Sequence, residues 1–171
     1  WLAVTGGAPI GWNITEIYDA QTGAPRFALD GGYAAFSLDS RLLATTSHDG
    51  AIFLRDMASG ALLKTLYHPG GSAYQVQFTP DGRGLVAAVY MLESAGSNNR
   101  GLSQWDLTNL DAPPITHDLF TDWIPYFDLS PDGRFTMIAQ RGGVQVIDER
   151  QDSLLQWGIK DGIAEMVAFS P

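Results

Sequence analysis

Cysteine is absent from this 171-residue chain, which excludes disulfides, thiolate metal sites and a cysteine nucleophile. Basic residues are few, since ten lysines and arginines face nineteen aspartates and glutamates. Because nucleic-acid phosphates are bound by clustered lysines and arginines, the net charge of −9 predicts that nucleic acid is not a partner. The acidic residues are scattered along the chain, so their charge indicates solubility rather than an acidic tail.

Long apolar runs are missing as well. No stretch approaches the ~18 to 20 residues that span a bilayer, so membrane insertion is not expected. No signal peptide is visible, but the sequence starts at Trp1 rather than at a methionine, which is compatible with a removed targeting segment. The compartment therefore stays open. With 45% hydrophobic and 11% aromatic residues, the chain has enough apolar side chains to build a core.

The usual catalytic arrangements are also lacking. His48, His68 and His117 stand far apart and show no metal-ligand spacing such as His-x-x-x-His. Ser47 is adjacent to His48 in one turn, where the two side chains do not face each other as nucleophile and base. No glycine-rich loop precedes a predicted helix, as a phosphate site would require. We therefore predict no catalytic residue, no metal and no cofactor.

The chain instead contains a phrase that returns four times, in which an apolar residue precedes a serine or threonine. The apolar positions are Phe36, Phe78, Leu129 and Phe169. A period of about 40 to 50 residues is typical of repeat proteins built from one supersecondary unit per repeat. In three copies an aspartate follows, and an aspartate side chain commonly accepts backbone N–H bonds in a tight turn. We expect Asp39, Asp81 and Asp132 to be structural and Phe78 to be buried.

Each repeat contains the signals of four short β-strands. In the clearest repeat, apolar alternation predicts strands over 34–36, 42–46, 51–55 and 61–67. Asp49-Gly50 between the second and third is a strong hairpin signal, and Asp56 suits the turn after the third. Short strands with a turn every ~8 to 12 residues indicate a β-sandwich, barrel or propeller. The regular repetition favours the propeller.

The repeats resemble those of WD-repeat β-propellers, whose blades pair a Ser-Pro-Asp-Gly turn with an aromatic-aspartate dipeptide that ends the third strand. In this chain the dipeptides are Tyr18-Asp19, Arg55-Asp56, Trp105-Asp106 and Ile147-Asp148. The related YVTN-type and TolB-type propellers share the Pro-Asp-Gly turn and stay open as alternatives. The resemblance implies an all-β propeller of four-stranded antiparallel blades, in which His68 forms a hydrogen bond within its blade. The structural repeat residues that it implies are Asp49, His68, Asp81, Trp105, Asp106 and Asp132.

The repeats divide the chain into a series of units. Their bounds are about 1–32 (partial), 33–73, 74–122 and 123–162, and residues 163–171 would be the first strand of a further blade. We expect one propeller segment of about four blades within a larger ring of about seven or eight blades. The alternatives are a four-bladed ring that closes by itself and an eight-bladed ring formed by a homodimer.

Two irregular loops and the connections between blades are the expected places of partner contact. The loop at 91–101 makes its repeat the longest, and a shorter irregularity covers 6–13. Insertions in repeat proteins map to loops on one face and often carry function, although a tolerated surface insertion is the alternative. The candidate partner-binding residues are Trp12, Glu93, Asn98, Asn99, Arg100 and Trp123.

The function that we predict is a non-enzymatic scaffold that presents propeller loops to a protein or peptide partner. The alternative is the propeller domain of a hydrolase or peptidase, or a propeller that binds a small ligand in its central channel. The polar residues nearest to such a channel would be Gln75, Gln77, Asp128 and Glu165. Further blades of the same chain, or a homodimer, would complete the ring.

Deleting residues 94–99 is expected to leave folding nearly intact, because shortening a surface loop changes the closure entropy by only about 1 kcal/mol or less. Thermal unfolding of the deletion variant and of the parent chain, followed by circular dichroism, tests this. A large fall in the unfolding temperature would show that the loop packs as part of the fold.

Overall fold

The structure is a computed structural model that describes residues 1–7, 13–47, 49–68, 71–91, 100–121, 126–150 and 153–170. Regular structure in these ranges consists of β-strands. No helix long and apolar enough to cross a membrane occurs in the part of the chain that the structure describes.

The strands form four antiparallel sheets, and each sheet is built from consecutive strands. Sheet one contains β1 (Leu2–Gly7), β2 (Asn13–Tyr18) and β3 (Pro25–Asp30). Sheet two contains β4 (Ala34–Phe36), β5 (Leu42–Thr46), β6 (Ile52–Asp56) and β7 (Leu62–Leu66). Sheet three contains β8 (Gly71–Phe78), β9 (Gly84–Met91), β10 (Arg100–Asp106) and β11 (Ile115–Thr121). Sheet four contains β12 (Phe127–Leu129), β13 (Phe135–Asp148) and β14 (Ser153–Ile163).

The predicted all-β architecture of antiparallel sheets is confirmed. In sheet two, the strands β4 to β7 begin and end within one residue of the predicted bounds. Sheet one has three strands, in the order β1-β2-β3. Its first strand, β1, corresponds to the second strand of the four-stranded repeat.

Sheet four differs from the expectation, since the predicted second and third strands form one continuous stretch, β13. Its two ends are joined, because the Glu149 N–H donates to the Arg134 carbonyl oxygen at 2.9 Å. An extended run of this length would span about 45 Å, so β13 must fold back on itself. Gly142 and Gly143 have φ of 86° and 151°, which places the reversal at these two glycines. The turn is so tight that no break separates the two strands.

The second strands of sheets two and three are covered on both faces. Four consecutive residues of β5, Leu43–Thr46, are buried, as is β9 from Gly84 to Val89. Burial of successive residues means that both faces of a strand are covered, because side chains alternate between faces. Alanines occupy several of these positions, and a small side chain allows neighbouring sheets to approach closely. They are Ala44, Ala87, Ala88 and Ala139.

Apolar clusters join each sheet to the next one along the chain. Sheets one and two share the buried residues Ile17, Leu43 and Met57. The cluster between sheets two and three is larger and contains Ala44, Ile52, Leu66, Ala73, Val76, Leu85, Ala87, Val89 and Trp105. Sheets three and four meet at Val86, Ala88, Leu102, Phe127, Ile138 and Ile147. The order of the sheets in space is therefore their order in the chain.

Residues 164–170, where a further first strand is predicted, are in no strand among the described residues. They nevertheless lie against sheet four, because the Phe169 N–H donates to Asp128 Oδ2 at 2.8 Å. Ala164 and Val167 are buried in a cluster with Ala139. A strand requires a neighbouring strand with which it forms a ladder of hydrogen bonds, and no strand of the described residues pairs with this segment in that way. The further blade stays a prediction.

The apolar residue of the recurring phrase is half-buried rather than fully buried. Phe78 packs on the edge of its cluster, whereas Val76, two residues earlier, is only 3% exposed. The corresponding position in sheet four is Phe127, which is 0% exposed. The phrase residue stands at the end of the first strand, beside the turn, where the sheet meets solvent. The expected burial of Phe78 is therefore only partial.

Replacing Phe127 with alanine should lower the free energy of unfolding by about 3 to 5 kcal/mol, because the ring is fully enclosed between two sheets. The matched variant Phe78→Ala should cost less, since part of that ring is already in contact with water. Denaturant unfolding of both variants measures the difference. Equal losses would contradict the assigned burial.

Candidate interaction surfaces

The strand ends form two rims, because antiparallel strands reverse at alternate ends of a sheet. The turn rim contains the connections between first and second strands and between third and fourth strands. In the described residues these are 19–24, 37–41, 57–61, 79–83, 107–114, 130–134 and 149–150. The hairpin rim contains the hairpins between second and third strands and the connections from one sheet to the next.

Asp39, Asp81 and Asp132 organise the turns between first and second strands in the same way. Oδ1 of each accepts a bond from the serine or threonine hydroxyl two residues earlier, at 2.6 or 2.7 Å. The same oxygen accepts the backbone N–H two residues later, at 3.0 or 3.1 Å. Both bonds favour the ionised form and hold the pKa of each carboxyl below its ordinary value, and the bond from the hydroxyl has the larger effect.

Aspartates also organise the turns after the third strands. Asp106 Oδ1 accepts the Thr108 hydroxyl at 2.6 Å and the Thr108 N–H at 2.8 Å. Asp56 does the same with Ser59, at 2.5 and 2.8 Å. Asp19 accepts two backbone N–H groups, each at 2.9 Å. These hydrogen bonds lower the pKa of all three carboxyls.

Asp148 holds the corresponding place in sheet four but has an arginine as its main partner. Arg134 Nη2 donates to Asp148 Oδ2 at 2.7 Å, and Arg134 Nε lies 3.2 Å from both carboxylate oxygens. The Asp148 side chain is only 6% exposed. This bond to Arg134 lowers the pKa of Asp148. The ion pair also joins the two ends of β13, so side chains support that hairpin as well as the backbone.

Asp49 and Gly50 form the hairpin of sheet two. The Ser47 hydroxyl and the Ala51 N–H donate to Asp49 Oδ1. Gly50 has a φ of 81°, and a Cβ there would lie 2.3 Å from Ser72 Cα. Its carbonyl oxygen accepts the Ala73 N–H at 3.0 Å. Glycine is therefore required, because the hairpin abuts sheet three through its backbone.

His68 and Trp105 are buried at the junction of sheets two and three. His68 precedes β8, and its Nδ1 lies 2.8 Å from Ser103 Oγ in β10 of the same sheet. Ser103 Oγ lies 3.2 Å from Thr116 Oγ1, which extends the contact to β11. Trp105 belongs to the apolar cluster between the two sheets. We propose that both residues keep the structural role that the resemblance implies.

Most of the predicted partner-binding residues lie outside the described residues. They are Trp12, Glu93, Asn98, Asn99 and Trp123. The backbone of Arg100 is described: the residue begins β10 and pairs with Tyr90 on one side and Thr121 on the other. The strand ends that flank 8–12, 92–99 and 122–125 lie on the hairpin rim. The contact surface itself stays a prediction.

The polar residues expected near a central channel take part in packing between first strands. Gln75 and Gln77 donate through Nε2 to the Phe127 carbonyl oxygen, at 3.3 and 3.0 Å. Asp128 accepts the Phe169 N–H, and Glu165 is exposed. In the described ranges no three histidine, aspartate or glutamate side chains are grouped closely enough to hold a metal ion. Gln75 and Gln77 are thus bonded to the backbone of β12, and Asp128 is bonded to the backbone of the segment 164–170.

Contacts between outer strands were not found by the sequence analysis. Lys64 Nζ in β7 lies 2.6 Å from Asp111 Oδ1, which belongs to a turn of sheet three. His117 Nε2 in β11 lies 3.7 Å from Glu149 Oε2, next to sheet four. Each pair joins residues that are far apart in sequence and come from different repeats. No local pattern relates such partners, so only the structure identifies them.

No family model matches the chain, and no curated protein does. Among solved structures, it is similar to Kuenenia stuttgartiensis hydrazine synthase, with 16% identity and a TM-score of 0.71 over 91% of this chain and 53% of that one. It is similar to the β-propeller domain of Myceliophteria thermophila Cps50 (Swd1), with 15% identity and a TM-score of 0.65 over 94% and 52%. It is also similar to the WD40 domain of Toxoplasma gondii coronin, with 14% identity and a TM-score of 0.69 over 91% and 42%.

These likenesses confirm the predicted β-propeller fold, in which the four sheets are blades. The chain spans about half the length of these structures or somewhat less. Membership of the WD-repeat family stays a prediction, as does the assignment to a YVTN-type or TolB-type propeller.

Acidification should destabilise the chain below about pH 4. The turn aspartates have lowered pKa values when folded, so their stabilisation is complete above the unfolded pKa and is lost as the pH falls through the folded pKa. A variant with Asp39→Asn, Asp81→Asn and Asp132→Asn keeps an acceptor oxygen in each turn but cannot titrate there. Its unfolding temperature should therefore fall less than that of the parent chain between about pH 6 and pH 3.

The matched control for this experiment is Asp30→Asn, because Asp30 is exposed at the end of β3 and outside the turns. It should show the pH dependence of the parent chain. The role assigned to the turn aspartates would be wrong if the triple variant and the control lost stability equally on acidification.

Proposed function

We propose that this chain is a non-enzymatic interaction scaffold that presents the hairpin rim of its blades to a protein or peptide partner. The observation that carries the proposal is the difference between the two rims. On the turn rim, the turns 37–41, 79–83 and 130–134 have one length and one pattern of aspartate bonds. On the hairpin rim, the connection between second and third strands ranges from the tight turn at Gly142-Gly143 to the long segment 92–99.

Variable loops on a rigid framework are the usual carriers of recognition, because the framework fixes their ends while their sequence is free to change. Here the framework comes from sheets two and three, whose second strands, β5 and β9, are buried on both faces. The hairpin rim is also tied together by the backbone, as in the bond from Ala73 N–H to the Gly50 carbonyl oxygen. A partner would therefore meet loops whose bases are held by buried strands and, between sheets two and three, by a backbone hydrogen bond.

The similar WD40 domains support this kind of function. The non-enzymatic part of the proposal is supported by the burial of His68, which is bonded to Ser103 and is only 8% exposed, so a substrate would not reach this pair. A channel site of the hydrolase or ligand-binding kind is less well supported, because Gln75, Gln77 and Asp128 bond to the neighbouring inner segment.

Trp123→Ala should reduce partner capture by about tenfold or more if this tryptophan anchors the contact, because buried tryptophans dominate the energy of interfaces. Quantitative affinity capture with the full chain, followed by mass spectrometry of the bound proteins, measures this. The matched control is Trp1→Ala, since Trp1 is 39% exposed and precedes Leu2, which pairs with Tyr18 at the turn-rim end of sheet one. The control should bind as the parent chain does.

Thermal unfolding shows whether each variant is folded before capture is compared. Equal loss of the same bound protein with both tryptophan variants would contradict recognition by the hairpin rim. Turnover of a small substrate by the purified chain would contradict the non-enzymatic assignment.

A further inference from the structure

A groove of about 600 Å³ opens on the turn rim between sheets three and four. Three turns line it: 79–84 and 106–113 of sheet three and 132–133 of sheet four, together with Gln104 and Ile115. Its volume is of the order found for ligand-binding clefts. The groove lies on the turn rim, opposite the hairpin rim, so it is a surface separate from the one to which the proposed function is assigned.

Part of the groove is apolar. Ala112, Pro113 and Ile115 line it in succession at the end of one turn and the start of β11. Ile115 is 65% exposed, although it begins a strand and is branched at Cβ. An exposed isoleucine beside a proline and an alanine gives the groove an apolar segment that a partner side chain can cover.

The rest of the lining is polar and has an excess of negative charge. Asp81, Asp106 and Asp132 contribute three carboxylates, whereas Arg83 contributes the single guanidinium of the lining. Arg134, which follows the same turn of sheet four, is paired with Asp148 instead. The turn bonds reach Oδ1 of each carboxylate. Since an ionised carboxylate can accept about four hydrogen bonds, these bonds do not exhaust its capacity.

The carboxylates are also fixed in position before any ligand arrives. Each is held by a hydroxyl and a backbone N–H of its own turn, so neither oxygen needs to be ordered on binding. Preorganised charges bind an oppositely charged group at a smaller entropic cost than mobile side chains do. The hydrogen bonds keep the pKa values low, so the groove stays charged at neutral pH.

We propose that this groove binds an extended segment of a partner protein in which an arginine or lysine stands next to a small aliphatic side chain. The cation would lie against a carboxylate of the groove, from Asp81, Asp106 or Asp132, and the aliphatic side chain would cover Ile115 and Pro113. An anionic ligand would meet net repulsion in the groove. A purely apolar occupant would remove the carboxylates from water without replacing their hydrogen bonds, which is costly.

The test uses the full chain and a blocked peptide, acetyl-Ala-Arg-Ala-Leu-Arg-Ala-amide, titrated against ¹⁵N-labelled protein and followed by NMR. The control peptide has citrulline in place of both arginines, which keeps the shape and removes the charge. We expect shift changes confined to residues 79–84, 104–115 and 132–133. We also expect at least fivefold weaker binding of the citrulline peptide and weaker binding of the arginine peptide at high salt.

Two variants probe the two halves of the groove separately. Asp106→Asn keeps the turn acceptor but removes one charge, and Ile115→Ser removes the exposed apolar side chain. Each should weaken the arginine peptide about threefold or more, while Trp157→Ala, an exposed apolar residue elsewhere, should have no effect. Equal binding of both peptides, shifts outside the groove, or no shifts at millimolar peptide would overturn the proposal. Because neither Asp106 nor Ile115 lies on the hairpin rim, this result is independent of the partner-capture experiment.

Discussion

Coverage of both faces of sheets two and three is the constraint on which the rest of this structure depends. The buried run Leu43–Thr46 in β5 and the buried residues 84–89 of β9 cannot face water on either side. Sheets two and three are therefore each packed between two neighbouring sheets, and alanines such as Ala44 and Ala87 make the close approach possible. The sheets are stacked in chain order, because the apolar face nearest to each sheet belongs to the sheet that follows or precedes it in the sequence.

Stacking through the faces leaves the two rims as the surfaces where recognition is most readily built. The turn rim repeats one device, an aspartate whose carboxylate accepts bonds within its own turn, at positions that include Asp39, Asp81 and Asp132. Identical turns give this rim a regular row of charges. The groove beside Ile115 arises where a longer turn, 107–114, departs from that regularity. Both proposed surfaces lie where the repeats differ from one another.

Polar groups between the sheets show how the stacking is specified as well as stabilised. Gln77 donates to the Phe127 carbonyl oxygen, and Asp128 at the equivalent place accepts the Phe169 N–H. Gln77 and Asp128 thus hold the same position in their repeats. The amide of Gln77 donates to a backbone carbonyl oxygen, whereas the carboxylate of Asp128 accepts a backbone N–H. A buried acceptor without its donor would cost about 1 to 3 kcal/mol, so such pairs disfavour a shifted arrangement of neighbouring sheets.

The sequence by itself determined the strands, the turns and the propeller fold, because these depend on signals that are local and repeated. Alternation placed β4 to β7 within one residue, and the aspartates marked their turns. Only the tertiary structure decided that β13 is one stretch with a tight reversal, that Phe78 is half-buried, and that Lys64 meets Asp111. It also decided the groove, whose lining comes from turns of two sheets. The physical reason is that sequence periodicity reports the faces of a single strand, whereas these features depend on how closely separate sheets approach one another.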